Sequence, residues 1–267
     1  MPAEHGAWGI LLVPLACAAG VAGLTRATIL PFTLITMCAL AIFVLRGSLE
    51  AHLAEQNDWR RIASAPHLAL ALLAAISGGA LLLVYGRWQL VSLGIAAGHL
   101  YGLQWFITRR HAAGSNVEKR SLIAELVGVL LLTSAAPAAW IAMRGAFDAV
   151  AAQLWAMNAA FFCGGVLYVK YRVRGLLAHQ KFSGAGERVR FAWPVFVYHF
   201  LLAAMLASVA LTGQISLAVT LAFVPGVIRA MALAGQLGRR FPIKRLGWSE
   251  VAQGVAFAAL LILAFRQ

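Results

Sequence analysis

The sequence predicts an all-α membrane protein: a bundle of about nine transmembrane helices in one domain that spans residues 1–267. Hydrophobic residues make up 62% of the chain and charged residues only 12%, whereas a typical soluble domain carries about 25% charged residues. The mean hydropathy is +0.82. A water-soluble fold could not bury this much apolar surface, so the composition excludes a soluble globular protein.

Nine apolar runs come close to the roughly 20 residues that a membrane-spanning helix needs. They cover residues 7–23, 29–46, 66–85, 89–108, 121–142, 149–169, 192–212, 215–234 and 249–265. The connections after the odd-numbered spans are short, so we expect those spans to pair with the next ones as tight antiparallel hairpins. The longer connections contain no soluble domain.

The distribution of basic residues predicts the orientation. All but four of the 22 Lys and Arg residues lie in the loops after spans two, four, six and eight or at the adjoining span ends. The exceptions are Arg26, Arg87, Arg144 and Arg266. Cytoplasmic loops are enriched in Lys and Arg, which places the N-terminus in the cytoplasm and the C-terminus outside. The net charge of +13 therefore indicates a lipid bilayer partner and not a nucleic acid, for which no recognition element is present.

Polar side chains within the spans are costly in lipid and are functional candidates for that reason. Nearly all of them lie in the cytoplasmic halves of the spans, which predicts a polar cavity open to the cytoplasm beneath an apolar outer layer. The candidate ligand-binding residues are His5, Trp8, Arg46, Glu50, Glu125, Asn158, Lys170, Arg172, Arg174 and His199. The alternative is that residues near helix ends extend to the interface or cap loops, which for Lys170, Arg229 and Glu250 is an equally good interpretation.

The first candidates lie at the cytoplasmic ends of spans one and two. His5 and Trp8 belong to the segment EHGAWG, whose small residues allow either a cavity mouth or close helix packing. Arg46 and Glu50 close span two, where Glu50 and Asp58 could hold Mg²⁺ through water. The neighbouring Arg60 and Arg61 favour an ion-paired loop instead, so no metal site is predicted.

The remaining candidates lie in spans five to seven. Glu125 is about one turn inside span five, and Lys170 or Arg172 could neutralise its charge. Asn158 lies near the middle of span six. His199 lies about two turns into span seven, and the sequence around it favours a packing role over metal binding because it lacks local ligand spacing.

The segment KYRVR, residues 170–174, is strongly basic and ends at Arg174. It suits anionic lipid headgroups, and it also suits a phosphate clamp, because the Arg guanidinium matches phosphate oxygens.

Three segments resemble the YwiC-like bacterial membrane proteins: HGAWG from residue 5, RSLIAELVGVLLLTSAAP from residue 120, and NAAFFCGGVLYVKYRVR from residue 158. The resemblance implies a multi-pass protein of the bacterial cytoplasmic (inner) membrane, but it brings no activity or cofactor with it.

The layout of the helices is more distantly similar to the UbiA-type intramembrane prenyltransferases. That resemblance implies an isoprenoid or other lipid-like, phosphate-bearing ligand near the loops after spans two and six. Members of that family hold Mg²⁺ there with aspartate-rich motifs. This sequence has no N-D-x-x-D run in the first region and has basic residues in the second: Lys170, Arg172 and Arg174.

Three functions stay open at this point. The first is a UbiA-like enzyme or binder of a lipid-soluble, phosphate-bearing substrate, without the aspartate-rich magnesium sites. The second is a small-solute or proton-coupled transporter that uses Glu125 and His199, although the sequence shows no internal repeat. The third is a non-catalytic membrane subunit or assembly factor for a respiratory or envelope complex.

Overall fold

The computed structural model of the chain describes residues 5–54, 65–112, 122–177, 182, 184–238 and 242–266. Within these ranges the side chains of residue 5, residues 49–54 and 110–112, and residues 177 and 243 lie outside the description. All regular secondary structure in the described residues is helical, which confirms the predicted all-α class.

The described residues form twelve helices in chain order. They are α1 (His5–Ala22), α2 (Ile29–Ala54), α3 (Ala65–Leu83), α4 (Gln89–Ala112), α5 (Leu122–Thr133), α6 (Ala135–Arg144), α7 (Ala149–Leu177), α8 (Ala185–Leu211), α9 (Leu217–Leu221), α10 (Val224–Met231), α11 (Leu233–Gln236) and α12 (Ile243–Phe265).

Seven described segments are long and apolar enough to cross a membrane, so the chain is a multi-pass membrane protein. They are Ile29–Ser48, Ala65–Leu83, Gln89–Arg109, Leu122–Arg144, Ala149–Leu176, Ala185–Leu211 and Lys244–Phe265. Two shorter apolar segments, Gly6–Ala22 and Leu217–Met231, coincide with the first and eighth predicted spans. The predicted direction of insertion stays a prediction.

The eighth predicted span departs most from expectation, because it is not one helix but the three short helices α9, α10 and α11. Pro225 has no N–H to donate to the carbonyl of Leu221, and α9 ends at that residue. The turn before α9 contains Gly213 at a positive φ of 74°. The Ser216 hydroxyl caps α9 by accepting a hydrogen bond from the Ala218 N–H at 3.1 Å.

A milder interruption divides the fifth predicted span at Ser134, between α5 and α6. Pro137 leaves the carbonyl of Thr133 without its usual helical donor, which accounts for the break. At the far end, Gly145 adopts a left-handed conformation with φ of 93° and ends α6. Both features follow from residues that are visible in the sequence.

The chain divides into two compact units. Unit 1 contains Met1–His99 and Ser134–Trp155. In it, α2 packs against α3, and α6 packs against both α1 and α2. Its core is apolar, with Leu15 and Ile141 among its largest buried side chains. The approach of α2 to α3 is close because Gly78 has no side chain, and a Cβ there would lie 3.5 Å from the Cys38 sulfur.

Two arginines of unit 1 bind backbone carbonyls at helix ends. The Arg87 Nε donates to the Ala142 carbonyl at 3.1 Å, and the Arg144 Nη2 donates to the Ala22 carbonyl at 2.5 Å. The last carbonyls of a helix have no intrahelical donor, and cations are favoured there. Arg87 and Arg144 are two of the four basic residues that lie apart from the predicted cytoplasmic loops, and both therefore have a structural role.

Unit 2 contains Leu100–Thr133 and Ala156–Gln267. Within it, α8 contacts α9, α10 and α11, and α12 contacts α9 and α10. One part of its core consists of Leu167, Tyr168, Ala192, Val195, Ala230, Leu233, Leu237 and Leu246. These residues come from α7, α8, α10, α11, the residue after α11, and α12, so α7 is packed among the C-terminal helices. The predicted single domain over residues 1–267 stays a prediction.

Candidate functional site

The helix α7 carries polar groups on two opposite faces. Phe161, Gly165, Tyr168 and Arg172 follow one another at spacings of three or four residues, which places them on one face. Lys170 comes two residues after Tyr168, about 200° around a helix of 3.6 residues per turn. The two faces therefore lead to two different clusters within unit 2.

The first face borders a cleft within unit 2. Its lining residues come from α7, α8, α10, the residue before α10, and α12: Phe161, Gly164, Gly165, Tyr168, His199, Leu202, Phe223, Gly226, Val227, Arg229, Glu250 and Gln253. The cavity has a volume of about 30 Å³, enough for roughly two water molecules. It is a narrow site that a small chemical group could enter without rearrangement.

An ion pair between α10 and α12 forms the polar end of this cleft. The Arg229 guanidinium pairs with the Glu250 carboxylate, and it also lies over the Tyr168 ring at 3.8 Å from the ring centre. The Tyr168 hydroxyl in turn donates to Gln236 Oε1 at 2.8 Å. The carboxylate and the aromatic face together compensate the arginine, which would otherwise be costly among apolar helices.

His199 presents one ring nitrogen to the cleft. Its side chain is buried, and Nδ1 lies 2.8 Å from the Val195 carbonyl one turn earlier on α8. A carbonyl oxygen can only accept, so Nδ1 carries the proton and Nε2 of the neutral ring keeps its lone pair. Nε2 would be 3.0 Å from a Cβ on Gly164, so this acceptor faces α7.

Two adjacent glycines on α7 make room for the polar side chains. A Cβ on Gly164 would be 3.0 Å from His199 Nε2, and a Cβ on Gly165 would be 3.4 Å from Glu250 Oε2. Small residues allow close approach between membrane helices. Here they bring side chains of α8 and α12 to neighbouring points on α7.

The other end of the cleft is aromatic. Phe161 stacks on Phe257 with a centroid distance of 4.0 Å and an interplanar angle of 11°. Phe223 contacts the same Phe257 edge-on, with centroids 5.3 Å apart. The cleft is therefore amphipathic, with a polar end at Arg229 and Glu250 and an apolar end at the phenylalanines.

The opposite face of α7 carries a second ion pair. The Lys170 Nζ lies 2.9 Å from Glu125 Oε2, so one of the two expected partners of Glu125 contacts it. One turn along α5, a Cβ on Gly128 would stand 2.6 Å from Gln104 Nε2, which shows that Gln104 lies directly against this glycine. Neither Glu125 nor Lys170 lines the cleft.

Comparison with known proteins identifies the family. The sequence model of the YwiC-like protein family matches residues 1–140, which is more than half of the chain. The chain belongs to the YwiC-like family. One relative, "Uncharacterized protein YwiC" of Bacillus subtilis (strain 168), is 24% identical over 265 residues, covering 98% of this chain and 97% of its own. No solved structure matches.

The cleft lies beyond the range matched by the YwiC-like family model, since its lining residues run from Phe161 to Gln253. The alignment with the Bacillus subtilis relative covers nearly the whole chain and therefore includes this region.

Among the predicted site residues of unit 2, His199 lines the cleft and the others have different surroundings. Arg172 is buried and donates to the backbone carbonyl of Gln236. The Arg174 guanidinium is 6.0 Å from the centre of the Tyr171 ring. Asn158 is fully buried on α7.

The predicted site residues of unit 1 lie on α1 and α2. Trp8 packs edge-on against Phe43 with ring centroids 4.9 Å apart, which is a packing contact between the two helices. Arg46 is half-buried on α2. The backbones of His5 and Glu50 belong to α1 and α2, but their side chains lie outside the described residues.

Sequence reasoning did not identify Gly164, Gly165, Tyr168 or Gln253, and it left Arg229 and Glu250 undecided. The helical spacing of Phe161, Gly165 and Tyr168 was available as a signal. Among the described residues, no group of three or more His, Cys, Asp or Glu side chains is placed to hold a metal ion.

Proposed function

We propose that unit 2 binds the polar head of a lipid-soluble ligand in the cleft between α7, α8, α10 and α12. The observation that carries this proposal is the convergence of Arg229, Glu250 and His199 from three helices on one narrow space. In the proposed orientation, the cleft lies toward the cytoplasmic side of a bacterial cytoplasmic membrane. The ligand is an isoprenoid or a similar amphiphile.

Depth argues for a functional role of these residues. His199 lies near the middle of α8, 14 residues after its first residue and 12 before its last, so each end of the helix is roughly 18–21 Å away. At such a distance its short side chain does not reach the interface in the way that Lys and Arg can. Ionisable groups held inside a membrane generally mark a site or a pathway.

The amphipathic lining supports a ligand with a head and a tail. Small-molecule sites combine apolar and aromatic walls with a few polar groups that fix orientation. Phe161 and Phe223 provide such a wall, and His199, Arg229 and Glu250 provide the polar groups. A hydrocarbon tail can leave the aromatic end while the head stays at the ion pair.

The basic segment after the sixth predicted span is a less suitable head site. Lys170 is paired with Glu125, and Arg172 donates to a backbone carbonyl of Gln236. A phosphate clamp at these residues would require both contacts to be exchanged. The transporter that uses Glu125 together with His199 is also less suited, because Glu125 on α5 contacts Lys170 on one face of α7, whereas His199 on α8 contacts Gly164 and lines the cleft.

The proposal is tested with purified protein in lipid nanodiscs, with farnesol and farnesyl phosphate as probes. At least one probe should raise the midpoint of thermal unfolding. The His199→Phe variant should lose this shift, because it removes a polar group from the cleft while keeping an aromatic ring.

His99→Phe is a matched control. The His99 Nδ1 makes the same contact with a carbonyl one turn earlier, at 2.8 Å from Ile95, but the side chain is exposed and lies outside the cleft. The His99→Phe variant should retain the full rise in the midpoint of thermal unfolding. If neither probe shifts the midpoint, or if both variants respond alike, the proposal fails.

A further inference from the structure

We infer that the ligand head is an uncharged hydroxyl group that donates a hydrogen bond to His199 Nε2, beside the Glu250 carboxylate. The inference rests on the proposed function and specifies the class of ligand. An alcohol or a phenol with a hydrophobic tail belongs to this class.

Two acceptors face neighbouring points on α7. In the neutral form of His199 the ring donates through Nδ1 to the Val195 carbonyl, so Nε2 can only accept. A carboxylate has acceptor atoms alone, and Oε2 of Glu250 approaches Gly165 while Oε1 meets Arg229. A ligand head in the cleft beside the glycine pair therefore has two hydrogen-bond acceptors in the lining.

The charge balance of the cleft favours an uncharged head. Arg229 is already compensated by Glu250 and by the Tyr168 ring, so with neutral His199 these groups sum to zero charge. A phosphate would bring negative charge beside the Glu250 carboxylate, and an ammonium would leave the site positive. Either charge is costly where the dielectric constant is low.

The size of the cavity also favours a hydroxyl group as the ligand head. A volume of about 30 Å³ admits a hydroxyl group, which is similar in size to a water molecule. A phosphate group carries several oxygens and needs more room than a hydroxyl group.

The experiment compares three probes with the same tail in nanodiscs: farnesol, farnesyl phosphate and farnesene, which has no head. Farnesol should bind about tenfold more tightly than farnesene, the increment expected for about 1.4 kcal/mol of hydrogen bonding. Farnesol should also bind more tightly than farnesyl phosphate. These comparisons use the unaltered protein and do not depend on whether a variant folds.

Variants then locate the hydroxyl. His199→Phe should bring the affinity for farnesol down to that for farnesene. The double variant Glu125→Gln/Lys170→Met, on the opposite face of α7, should leave the tenfold difference unchanged.

Tighter binding of farnesyl phosphate, weakened by Arg229→Met, would overturn the hydroxyl inference while supporting the proposed site. Equal binding of farnesol and farnesene would also overturn it, since the acceptors would then hold only structural water. Absence of binding by all three probes would instead reject the proposed function itself.

Discussion

The two faces of α7 carry ion pairs of similar burial but different surroundings. On one face Lys170 and Glu125 have side-chain exposures of 11% and 29%, and on the other Arg229 and Glu250 have 15% and 27%. The second pair lines the cleft described above, next to a histidine acceptor, a glycine pair and an aromatic wall, and the first pair does not line it. Burial of charge alone therefore does not show which pair belongs to a ligand site.

The difference lies in what stands beside each pair. The side chain of Gln104 packs directly against Gly128, which is near Glu125. Gly164 and Gly165 bring His199 and Glu250 close to α7, and all four of these residues line the cleft. We therefore interpret the Lys170 pair as a link between helices α5 and α7, and the Arg229 pair as part of a ligand site.

The largest effect is expected from breaking the pair at the cleft. Arg229→Met should lower the free energy of unfolding by about 3–5 kcal/mol, because it leaves the Glu250 carboxylate without its counter-charge. The double variant Arg229→Met/Glu250→Gln should recover most of this loss. Unfolding by denaturant in mixed micelles measures both, and additive losses in the double variant would contradict the pairing.

A smaller effect is expected on the opposite face. Lys170→Met should cost about 2 kcal/mol, because the half-buried Glu125 loses a charged hydrogen-bond donor. The farnesol-induced thermal shift should remain complete in this variant, since the cleft is on the other side of α7. Loss of the shift would show that the two faces of α7 are coupled. The Lys170 pair would then not be separate from the ligand site.

The glycine pair provides a comparison of adjacent positions with the same substitution. Replacement of a helical glycine by alanine favours the helix by up to about 1 kcal/mol. Gly165→Ala should show this gain, because its Cβ would make ordinary contact with Glu250. Gly164→Ala should show none of it and should weaken farnesol binding, because its Cβ would press on His199. Equal stability and binding in the two variants would contradict the close approach of His199.

The smallest effect on stability is expected at Tyr168, whose ring lies under Arg229. Tyr168→Phe should cost about 1 kcal/mol of unfolding free energy, because Gln236 loses its hydroxyl donor while the ring under Arg229 is kept. Tyr168→Leu should cost more, because it removes the ring as well. A larger loss in the phenylalanine variant would show that the hydroxyl matters more than the cation–π contact.

The spans could be predicted because hydropathy is a local property of the sequence. The interruption of the eighth span was also visible in principle, since Pro225 cannot continue a helix from Leu221. It was missed because the apolar composition from residue 215 to residue 234 is enough for a span whether or not the helix is continuous. The length and composition of an apolar run do not show where its helix is interrupted.

The site was harder to predict because it depends on which helices are neighbours. Arg229 and Glu250 are on separate helices, and no short spacing links them in the sequence. Glu125 and Lys170 looked equally suitable for a site. The packing of the helices shows that they pair with each other and do not line the cleft. Gly164 and Gly165 could be read from the sequence, but their meaning depends on the His199 and Glu250 side chains opposite them.

The central claim is that a lipid-soluble ligand places its head in the cleft of unit 2. The most direct test is photo-crosslinking in nanodiscs with a farnesol analogue that carries a diazirine near the hydroxyl, followed by peptide mass spectrometry. The account predicts labelling of cleft residues such as Phe161, Leu202 and Val227, with competition by unmodified farnesol. Competed labelling confined to the basic helix ends near Arg174 and Lys244, or to unit 1 around Trp8, would contradict it.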